Sequence, residues 1–541
     1  MHESRKMPEK RMKTTGFGTV TIALCCAVCS SCASYDSSTP SDYVGPLSRA
    51  NGAGRPVEMP LPGANEAEKV PDALEVTVAE AVLLALENNK ALLVERYAPK
   101  IRRTFQREAE AAFDPDFAAE ASFSRQEDEQ PATLPTESYD VQLGVQKLFP
   151  LGTEIGISAS GGNSKFGGSP DIGDARVGLS VTQPLMRGYG TDVNLASVRQ
   201  ARMDVLSSQY ELRGFAEALV AQTEEAYWDY SLAQQQLRIV EDSLRLAERQ
   251  VEETRERVKV GSLAEIDVAA ARAEAASRKQ DLIDAKSALD TTRLKFLSVL
   301  NPDGSYNLAS LIVLKEEPSE PEISLGPVED HVKTALKFRP DLNQATLLAN
   351  RGQLDVVKTR NGLLPLMNLF VNLGKTGYST SFGGALNDLP KSNSYDAQVG
   401  LSFEAPFGNR KAKAGYERAI LTREQSLEAL SNLAQLVEVD VRSAYIELER
   451  AKEQIAASTA TMRLQEEKLK AETEKFRIGK STTLLVAQAQ RDLMTSQLAQ
   501  SQAEVSYLKG IVELFRVEGT LLKSRGISSP GDEPIRLSVN D

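Results

Sequence analysis

Val177-Gly-Leu-Ser-Val-Thr-Gln-Pro184-Leu185 decides the fold, because the chain contains this stretch a second time as Val399-Gly-Leu-Ser-Phe-Glu-Ala-Pro406-Phe407. Landmarks on both sides of the two stretches recur in the same order: Pro115 and Pro365, Ala226-Tyr227 and Ala444-Tyr445, Gly261 and Gly479. The repeated unit is about two hundred residues long, whereas solenoid repeats have periods of 20–50 residues. The sequence therefore predicts one body built from two equivalent halves.

The composition of the 541-residue chain narrows the class of protein. Its net charge is −12 and its pI is about 5.1, and no face collects Lys and Arg, so nucleic acid is not an expected partner. The mean hydropathy is −0.30, and beyond the N-terminus no apolar run reaches the ~20 residues that a membrane helix needs. If this protein crosses a bilayer, it must do so as β-strands.

The N-terminus carries the marks of export. Residues 1–31 are predicted to be a secretory signal peptide, because a basic segment precedes an apolar run. Ser30-Ser31-Cys32 resembles a bacterial lipoprotein cleavage box, which predicts acylation of Cys32; ordinary signal cleavage nearby is the alternative. Residues 32–76 are rich in Ser, Pro, Gly and Asn and predict a flexible tether. All four cysteines lie at or before Cys32, so no disulfide or cysteine-based metal site is expected after it.

Alternating sequence follows Pro115 and Pro365, where the helical pattern of each half ends. Apolar residues then recur at every second position, separated by small or polar ones: Phe117, Ala119, Ala121 and Phe123; Val141, Leu143 and Val145; Ile155, Ile157 and Ala159; Val177, Leu179 and Val181; Leu369, Val371 and Leu373; Val399, Leu401 and Phe403. This period predicts half-exposed strands. Each run has about 9–11 residues, the length of a tilted membrane-spanning strand. Alternation alone fits a sheet on a soluble core equally well.

A very long helical pattern follows each repeated proline. Apolar or small residues step by four and three from Leu219 to Val258, and the second copy repeats the steps from Val437 to Phe476 with two polar interruptions near its end. A 3.5-residue period sustained over this length predicts left-handed coiled-coil packing. The first helix would be roughly 100 Å long at 1.5 Å per residue. The strands therefore fit a sheet in a membrane better than a sheet in a soluble protein, because no helix of matching length remains to cover their apolar faces.

Each rod ends at a glycine, Gly261 in the first half and Gly479 in the second, preceded by basic residues that suit a helix C-terminus. The chain then returns as a second helix that ends near Leu300 or Phe515. The predicted organisation has six segments: a signal peptide at 1–31, a lipoprotein tether at 32–76, a first repeat at 77–301, a linker at 302–326, a second repeat at 327–519 and a C-terminal tail at 520–541.

The duplicated strand–proline–helix junctions, the Ala-Tyr pairs in both ascending helices and the tip sequences VKVGS and FRIGK resemble those of the TolC-type outer-membrane efflux proteins. The resemblance covers the chain from about Val76 to Gly519. It implies an α+β membrane protein, made of a duplicated unit of β-strands and long antiparallel coiled-coil helices. In this family the strands of three chains form one β-barrel in the outer membrane, and the helices continue it as a periplasmic α-helical barrel.

The function implied by the resemblance is the outer-membrane channel of a tripartite efflux or type I secretion system, a passive conduit for small molecules or polypeptides without a catalytic step. The implied partners are two further copies in a homotrimer, a periplasmic adaptor protein, an inner-membrane pump and outer-membrane lipid. No nucleic acid, cofactor or metal is expected. The predicted location is the outer membrane, with a large periplasmic portion and a lipid anchor. The alternative is a non-porous periplasmic coiled-coil lipoprotein with a structural or adaptor role.

The chain departs from the family pattern in its number of strands. Pro115 and Pro184 are 69 residues apart, whereas Pro365 and Pro406 are 41 apart. The excess carries another alternating hairpin around Phe149-Pro150-Leu151-Gly152. Relatives with four strands per chain would make a twelve-stranded barrel, and this hairpin would raise the number to six per chain. The sequence leaves three placements open for it: the barrel wall, the lumen or the outside.

The resemblance also implies site residues at the tips and just beyond them. The expected contacts with the adaptor protein are Val258, Val260, Gly261, Ser262, Phe476, Ile478, Gly479 and Lys480. The expected periplasmic constriction is formed by Glu265, Asp267, Leu484, Leu485 and Gln488.

The constriction departs from the family in its chemistry. The tyrosine and arginine of the family's lock are replaced by Phe476 and Ser481, and its two acids are replaced by Leu485 and Gln488, while Asp267 is retained. An exposed ion pair would contribute only about 0–1 kcal/mol in any case. The hypothesis is therefore a constriction closed by apolar packing, with two carboxylates that set a cation preference. The apolar packing is assigned to Ile478, Leu484 and Leu485, and the cation preference is assigned to Glu265 and Asp267.

Overall fold

The computed structural model describes residues 74–126, 136–166, 170–301, 311–319 and 325–535. Residues Glu68–Asp541 are one compact unit, and all the elements below belong to it. The predicted signal peptide, the predicted lipidation site Cys32 and most of the predicted tether lie outside the described residues.

The first repeat consists of a three-residue strand, short helices, four long strands and a long helical hairpin. Its first helix begins with a capping box: the Thr77 side chain accepts from the Glu80 N–H, and the Glu80 carboxylate accepts from the Thr77 N–H. The elements in order are β1 (Leu74–Val76), α1 (Val78–Asn88), α2 (Lys90–Glu95), α3 (Tyr97–Glu110), β2 (Asp116–Gln126), β3 (Thr136–Leu148), β4 (Glu154–Phe166), β5 (Ile172–Pro184), α4 (Thr191–Asn194), α5 (Ala196–Lys259) and α6 (Glu265–Leu300).

The second repeat follows the same plan with two long strands instead of four. Its elements are β6 (Ile312–Leu314), α7 (Val328–Phe338), α8 (Pro340–Asn361), β7 (Leu366–Ser379), α9 (Phe382–Asp388), β8 (Tyr395–Glu404), α10 (Arg410–Arg477), α11 (Thr483–Glu518) and α12 (Leu521–Ser524). Strand β2 starts directly after Pro115 and strand β7 directly after Pro365, as the change of period predicts. The predicted duplicated α+β fold is confirmed.

The six long strands form one antiparallel sheet in the order β2-β3-β4-β5-β7-β8. The additional hairpin consists of β3 and β4, and it is hydrogen-bonded into the sheet on both sides. Val145 on β3 pairs with Phe117 on β2, and Ile157 on β4 pairs with Leu179 on β5. The chain therefore contributes six strands to this sheet rather than four.

A second, small sheet joins the beginnings of the two repeats. Strands β1 and β6 pair in parallel, with Leu74 opposite Ile312. Leu74, Val76 and Ile312 are buried beside Tyr227 and Phe296. The predicted tether and linker include these two strands, so the structure differs from the sequence prediction there. The difference arises because Leu74 and Val76 in one segment and Ile312 in the other become buried only when both segments reach the same core.

The two long rods are α5, with 64 residues, and α10, with 68. At 1.5 Å per residue each is about 100 Å long. Their predicted seam positions are the buried or half-buried ones, including Leu219, Tyr230 and Ala247 in α5 and Val437 and Leu448 in α10. Helices α6 and α11 pack along the tip half of the rods, and α3 and α8 pack along the half nearer the sheet. Among the helices that the structure describes, none has the length and apolarity required to cross a membrane.

Candidate functional site

The six-stranded sheet has one apolar face that the described part of the chain leaves largely uncovered. One row of directly paired residues crosses five strands: Phe117, Val145, Ile157, Leu179 and Leu373. Each of these side chains is exposed, by 39% for Leu179 up to 59% for Phe117. A contiguous exposed apolar surface of this kind marks a contact with lipid or with another protein.

The opposite face of the sheet is small and polar. The neighbouring row of paired residues on that face is Ala118, Gly144, Ser158, Gly178 and Gly374. Arg176 on β5 crosses β7 to bind the Asp396 carboxylate on β8 with two hydrogen bonds, at 2.6 and 2.7 Å. Gly374 makes this possible, because an added Cβ there would lie 2.5 Å from the Arg176 guanidinium. Apolar and polar faces arranged in this way are typical of strands between lipid and a wet lumen.

The two rods end in equivalent tips. The Gly261 N–H donates to the Val258 carbonyl and the Ser262 N–H donates to the Arg257 carbonyl, both at 2.9 Å. This Schellman motif needs a left-handed residue, and Gly261 has φ of +77°. The second tip repeats both bonds around Gly479, with φ of +76°. The repeated glycines therefore end the rods by the same backbone geometry.

One side chain joins the two tips. Arg257, near the end of α5, donates from Nη1 to the Phe476 carbonyl at 2.8 Å. Its guanidinium lies 4.3 Å from the centroid of the Phe476 ring, which is 2% exposed. We call this contact the Arg257–Phe476 latch. Sequence reasoning missed it, since a basic residue before a tip glycine is already explained by the helix C-terminus.

Most of the residues expected to contact an adaptor lie on the surface of the tips. Phe476 is buried under Arg257 and Val258 is half-buried, whereas Val260 and Ile478 are 78% and 64% exposed at equivalent places in the two tips. The remaining members are exposed too: Gly261, Ser262, Gly479 and Lys480. Each tip thus presents one apolar side chain beside its turn.

The residues expected at the constriction lie in the first two turns of the returning helices, α6 and α11. Glu265, Leu484, Leu485 and Gln488 are exposed. Leu484 is 65% and Leu485 47% exposed in the single chain. The predicted apolar closure would therefore have to be made with neighbouring copies.

Asp267 has a structural role that the sequence comparison did not suggest. Its carboxylate accepts the Ala264 N–H at 3.2 Å, three residues before it at the N-terminus of α6. A negative charge in the first helical turn also interacts favourably with the helix dipole. The retained aspartate therefore stabilises the start of α6 whether or not it also acts on ions.

A C-terminal segment, residues 526–535, folds back on α5 and is held there by a buried arginine. Arg213 is 2% exposed and donates to the Gly519 carbonyl at 2.7 Å, to the Gly531 carbonyl at 2.5 Å and to the Glu217 carboxylate at 3.1 Å. The sequence prediction assigned no contacts to the tail at 520–541. Nothing in the local pattern signals them, because Arg213 and Gly531 are 318 residues apart.

Burial raises the pKa of the Glu217 carboxyl from its ordinary 4.5 to about 7, although Arg213 opposes the shift. Between these values the folded protein holds a proton that the unfolded chain has released. The contribution to stability is therefore complete below the ordinary pKa and is lost as the pH rises through 7. We expect the thermal midpoint to fall between about pH 5 and pH 8, and Glu217→Gln to flatten this fall. Circular dichroism melts of the wild type and Glu217→Gln at several pH values would measure this fall. The same dependence of the thermal midpoint on pH in both proteins would contradict the assignment of the raised pKa to Glu217.

The amphipathic sheet and the paired coiled-coil rods together define a class, the outer-membrane channels that continue into the periplasm as helices. Among the described residues, no cluster of His, Cys, Asp and Glu could hold a metal ion. Comparison with known proteins gives the family. The family model of the outer membrane efflux proteins matches residues 82–301 and 332–520. The chain belongs to the outer membrane efflux protein family and is an outer-membrane efflux channel.

Individual relatives and structures agree with this membership. The chain is 25% identical to the outer membrane efflux protein BepC of Brucella suis over 357 residues, covering 64% of this chain and 72% of BepC. It is 24% identical to the probable efflux pump outer membrane protein TtgC of Pseudomonas putida over 401 residues, covering 72% and 79%. The crystal structure of CusC matches with a TM-score of 0.63 at 17% identity, covering 87% of this chain and 99% of CusC. The resemblance to TolC-type proteins is confirmed, and the alternative of a non-porous lipoprotein is not supported.

Proposed function

We propose that three copies of the chain assemble into a passive export conduit that crosses the outer membrane and continues into the periplasm. The observation that carries this proposal is the exposed apolar row from Phe117 to Leu373, backed by a polar face. Lipid would cover the apolar face, and water would fill the side lined by Arg176 and Asp396. Transport needs no catalytic step in this arrangement, because the conduit only supplies a path.

The two tips would dock with a periplasmic adaptor protein and, through it, with an inner-membrane pump. Val260 and Ile478 support this proposal, since each is an exposed apolar side chain beside a rigid glycine turn. The related TtgC is named as an efflux pump component. The cargo would then be chosen by the pump, and small molecules and polypeptides are both candidates.

A lipid anchor at Cys32 would add to the attachment. The cleavage-box sequence Ser30-Ser31-Cys32 is the support for it. Each buried methylene of an attached acyl chain contributes about 0.8 kcal/mol to membrane binding. The anchor would hold the N-terminus at the membrane independently of the sheet.

The assembled protein is expected to be a trimer that requires detergent, and to conduct ions in planar bilayers. Chemical crosslinking in detergent followed by mass measurement would give the number of copies, and current recordings would give the conductance. A monomer that stays soluble in plain buffer, without any current across a lipid film, would refute the proposal.

Asp267 and Glu265 are proposed to give the closed end its cation preference. Replacing Asp267 with asparagine removes one charge per copy but keeps an oxygen that can accept the Ala264 N–H. We therefore expect a lower ratio of cation to anion permeability with an unchanged fold. Reversal potentials under a salt gradient would measure the ratio, and Asp284→Asn, at an exposed position further along α6, is a control. Unchanged selectivity in Asp267→Asn would remove this residue from the proposed constriction.

A further inference from the structure

We infer that each copy contributes all six strands to the membrane wall, so that three copies close an eighteen-stranded barrel rather than a twelve-stranded one. The inference rests on the proposed trimeric channel and concerns the hairpin formed by β3 and β4. Four observations carry it: the hydrogen-bonded register, the apolar face, the anchoring of the hairpin and the direction of the two edge strands.

The register places the hairpin in the middle of the wall. Strand β3 pairs with β2 along eleven residues, from Asp116 opposite Gln146 to Gln126 opposite Thr136. Strand β4 pairs with β5 over a comparable length, from Glu154 opposite Thr182 onward. If the hairpin lay in the lumen or outside, β2 and β5 would have to pair with each other instead.

The apolar face continues through the hairpin without a change of side. Val145 and Ile157 lie in the same row as Phe117, Leu179 and Leu373, which belong to the other strands. A slip of one residue would turn every side chain of a strand to the opposite face. The hairpin residues would then meet water while their neighbours met lipid. The shared face therefore indicates that all these strands have the same surroundings.

The hairpin is also held at both ends. At its turn, the Phe149 N–H donates to the Thr153 carbonyl at 2.8 Å, and the Gly190 N–H donates to the Leu151 carbonyl at 3.2 Å. Near the other end, Gly161 on β4 lies against Phe382 of α9, where an added Cβ would be 2.4 Å from the ring. The bond from Gly190 ties the hairpin turn to the segment before the first rod. The contact with Phe382 ties β4 to the second repeat.

The two edges of the sheet fit a second copy of the chain. Strand β2 has 11 residues and β8 has 10, and each has one side without a strand partner in the described residues. Because all five pairings are antiparallel, β2 and β8 run in opposite directions. The β8 edge of one copy can therefore continue the antiparallel order against β2 of the next, which removes both open edges.

The strand number sets the width of the exit. Barrel diameter grows roughly linearly with strand number, so eighteen strands give a wall about 1.5 times as wide as twelve, in the range where porins leave an aqueous channel. The membrane portion would then pass larger solutes than a twelve-stranded relative could. Restriction of the cargo would be left to the helical portion and its closed end.

Fluorescence quenching by brominated lipid tests the hairpin's surroundings. Val145→Trp and Ile157→Trp should be quenched as strongly as Leu179→Trp, while Gln142→Trp and Ser158→Trp, on the opposite face, should not. The parent protein gives the constant background of Trp228, which is buried in the helical part. Quenching of Leu179→Trp without quenching of the two hairpin variants would overturn the inference but leave the channel intact. Absence of quenching in Leu179→Trp as well would refute the membrane channel itself.

Disulfide formation between directly paired positions tests independently whether the hairpin lies in the wall between β2 and β5. Phe117→Cys with Val145→Cys, and Ile157→Cys with Leu179→Cys, should crosslink within one chain. Phe117→Cys with Leu179→Cys should not, and it is the pair expected to crosslink if the hairpin lies outside the wall.

The junction between copies is tested by cysteines on the two edge strands. Val399→Cys on β8, combined in turn with cysteines at Phe117, Ala119 and Ala121 on β2, should yield covalent trimers for at least one combination. Crosslinks in none of the three combinations would contradict closure through these edges.

Discussion

Replacing Arg257 with alanine should raise the open fraction of the channel. The Arg257–Phe476 latch joins the ends of the two rods through a hydrogen bond at 2.8 Å and a guanidinium 4.3 Å from the ring centroid. A hydrogen bond from a charged donor contributes about 1.5–3 kcal/mol, and a cation–π contact contributes about 0.5–2 kcal/mol. Taking about 2 kcal/mol per copy, the open-to-closed ratio should rise about thirtyfold for each latch that is lost. Three latches in a trimer would compound the effect.

Planar-bilayer recordings of the open probability would measure this change, and Lys259→Ala is the matched control. Lys259 is a neighbouring basic residue on the same helix, but its partner is Glu256 in its own helix at 2.5 Å. Loss of Lys259 should therefore leave the Arg257–Phe476 latch and the open probability unchanged. Arg257→Lys keeps the charge and should fall between the wild type and Arg257→Ala. Equal open probabilities for wild type and Arg257→Ala would show that the latch does not hold the end closed.

Replacing Arg213 with methionine should produce the largest loss of stability. The substitution keeps an unbranched apolar stem but removes the bonds to Gly519, Gly531 and Glu217. It also leaves the buried Glu217 without a hydrogen-bond donor and without the positive charge that favours its ionised form. Removing one partner of a buried ion pair costs about 3–5 kcal/mol. The free energy of unfolding in detergent, followed by circular dichroism, would measure it.

Two further variants distinguish the effect of losing the buried Arg213–Glu217 pair from the general effect of removing an arginine. Arg238 forms an exposed ion pair with Glu317, with side chains 65% and 83% exposed, so Arg238→Met should change stability by no more than about 1 kcal/mol. Arg213→Met combined with Glu217→Leu should recover part of the loss, because no buried charge then lacks a partner. If the double variant is no more stable than Arg213→Met alone, the unpaired carboxylate is not the cause.

Much of the fold could be predicted because its signals are local and repeated. The seam from Leu219 to Val258 specifies a coiled coil through its period alone, and Gly261 marks the end of the rod because a Schellman turn needs a left-handed residue. The strands could be placed for the same reason, since Pro115 stops a helix and alternation begins at the next residue.

The candidate site was less accessible to sequence reasoning. The tip glycines could be located, but the partner of Phe476 could not, because Arg257 is 219 residues away and its basic charge already had a local explanation. Asp267 was assigned to ions, and the structure adds its hydrogen bond to the Ala264 N–H. Pairwise contacts between distant segments leave no periodic trace in the chain.

By itself, the sequence determined the duplication, the two periods and the lengths of the rods, because these are written in the order and spacing of the residues. The strand lengths were predicted less well: four of the six long strands have 13 or 14 residues rather than the expected 9–11. Only the tertiary structure decided that β3 and β4 enter the sheet, that β1 meets β6, and that residues 526–535 return to Arg213. An alternating hairpin has the same pattern in a wall, in a lumen or outside. Its place depends on which distant backbone groups satisfy its hydrogen bonds, and that is a property of the folded chain.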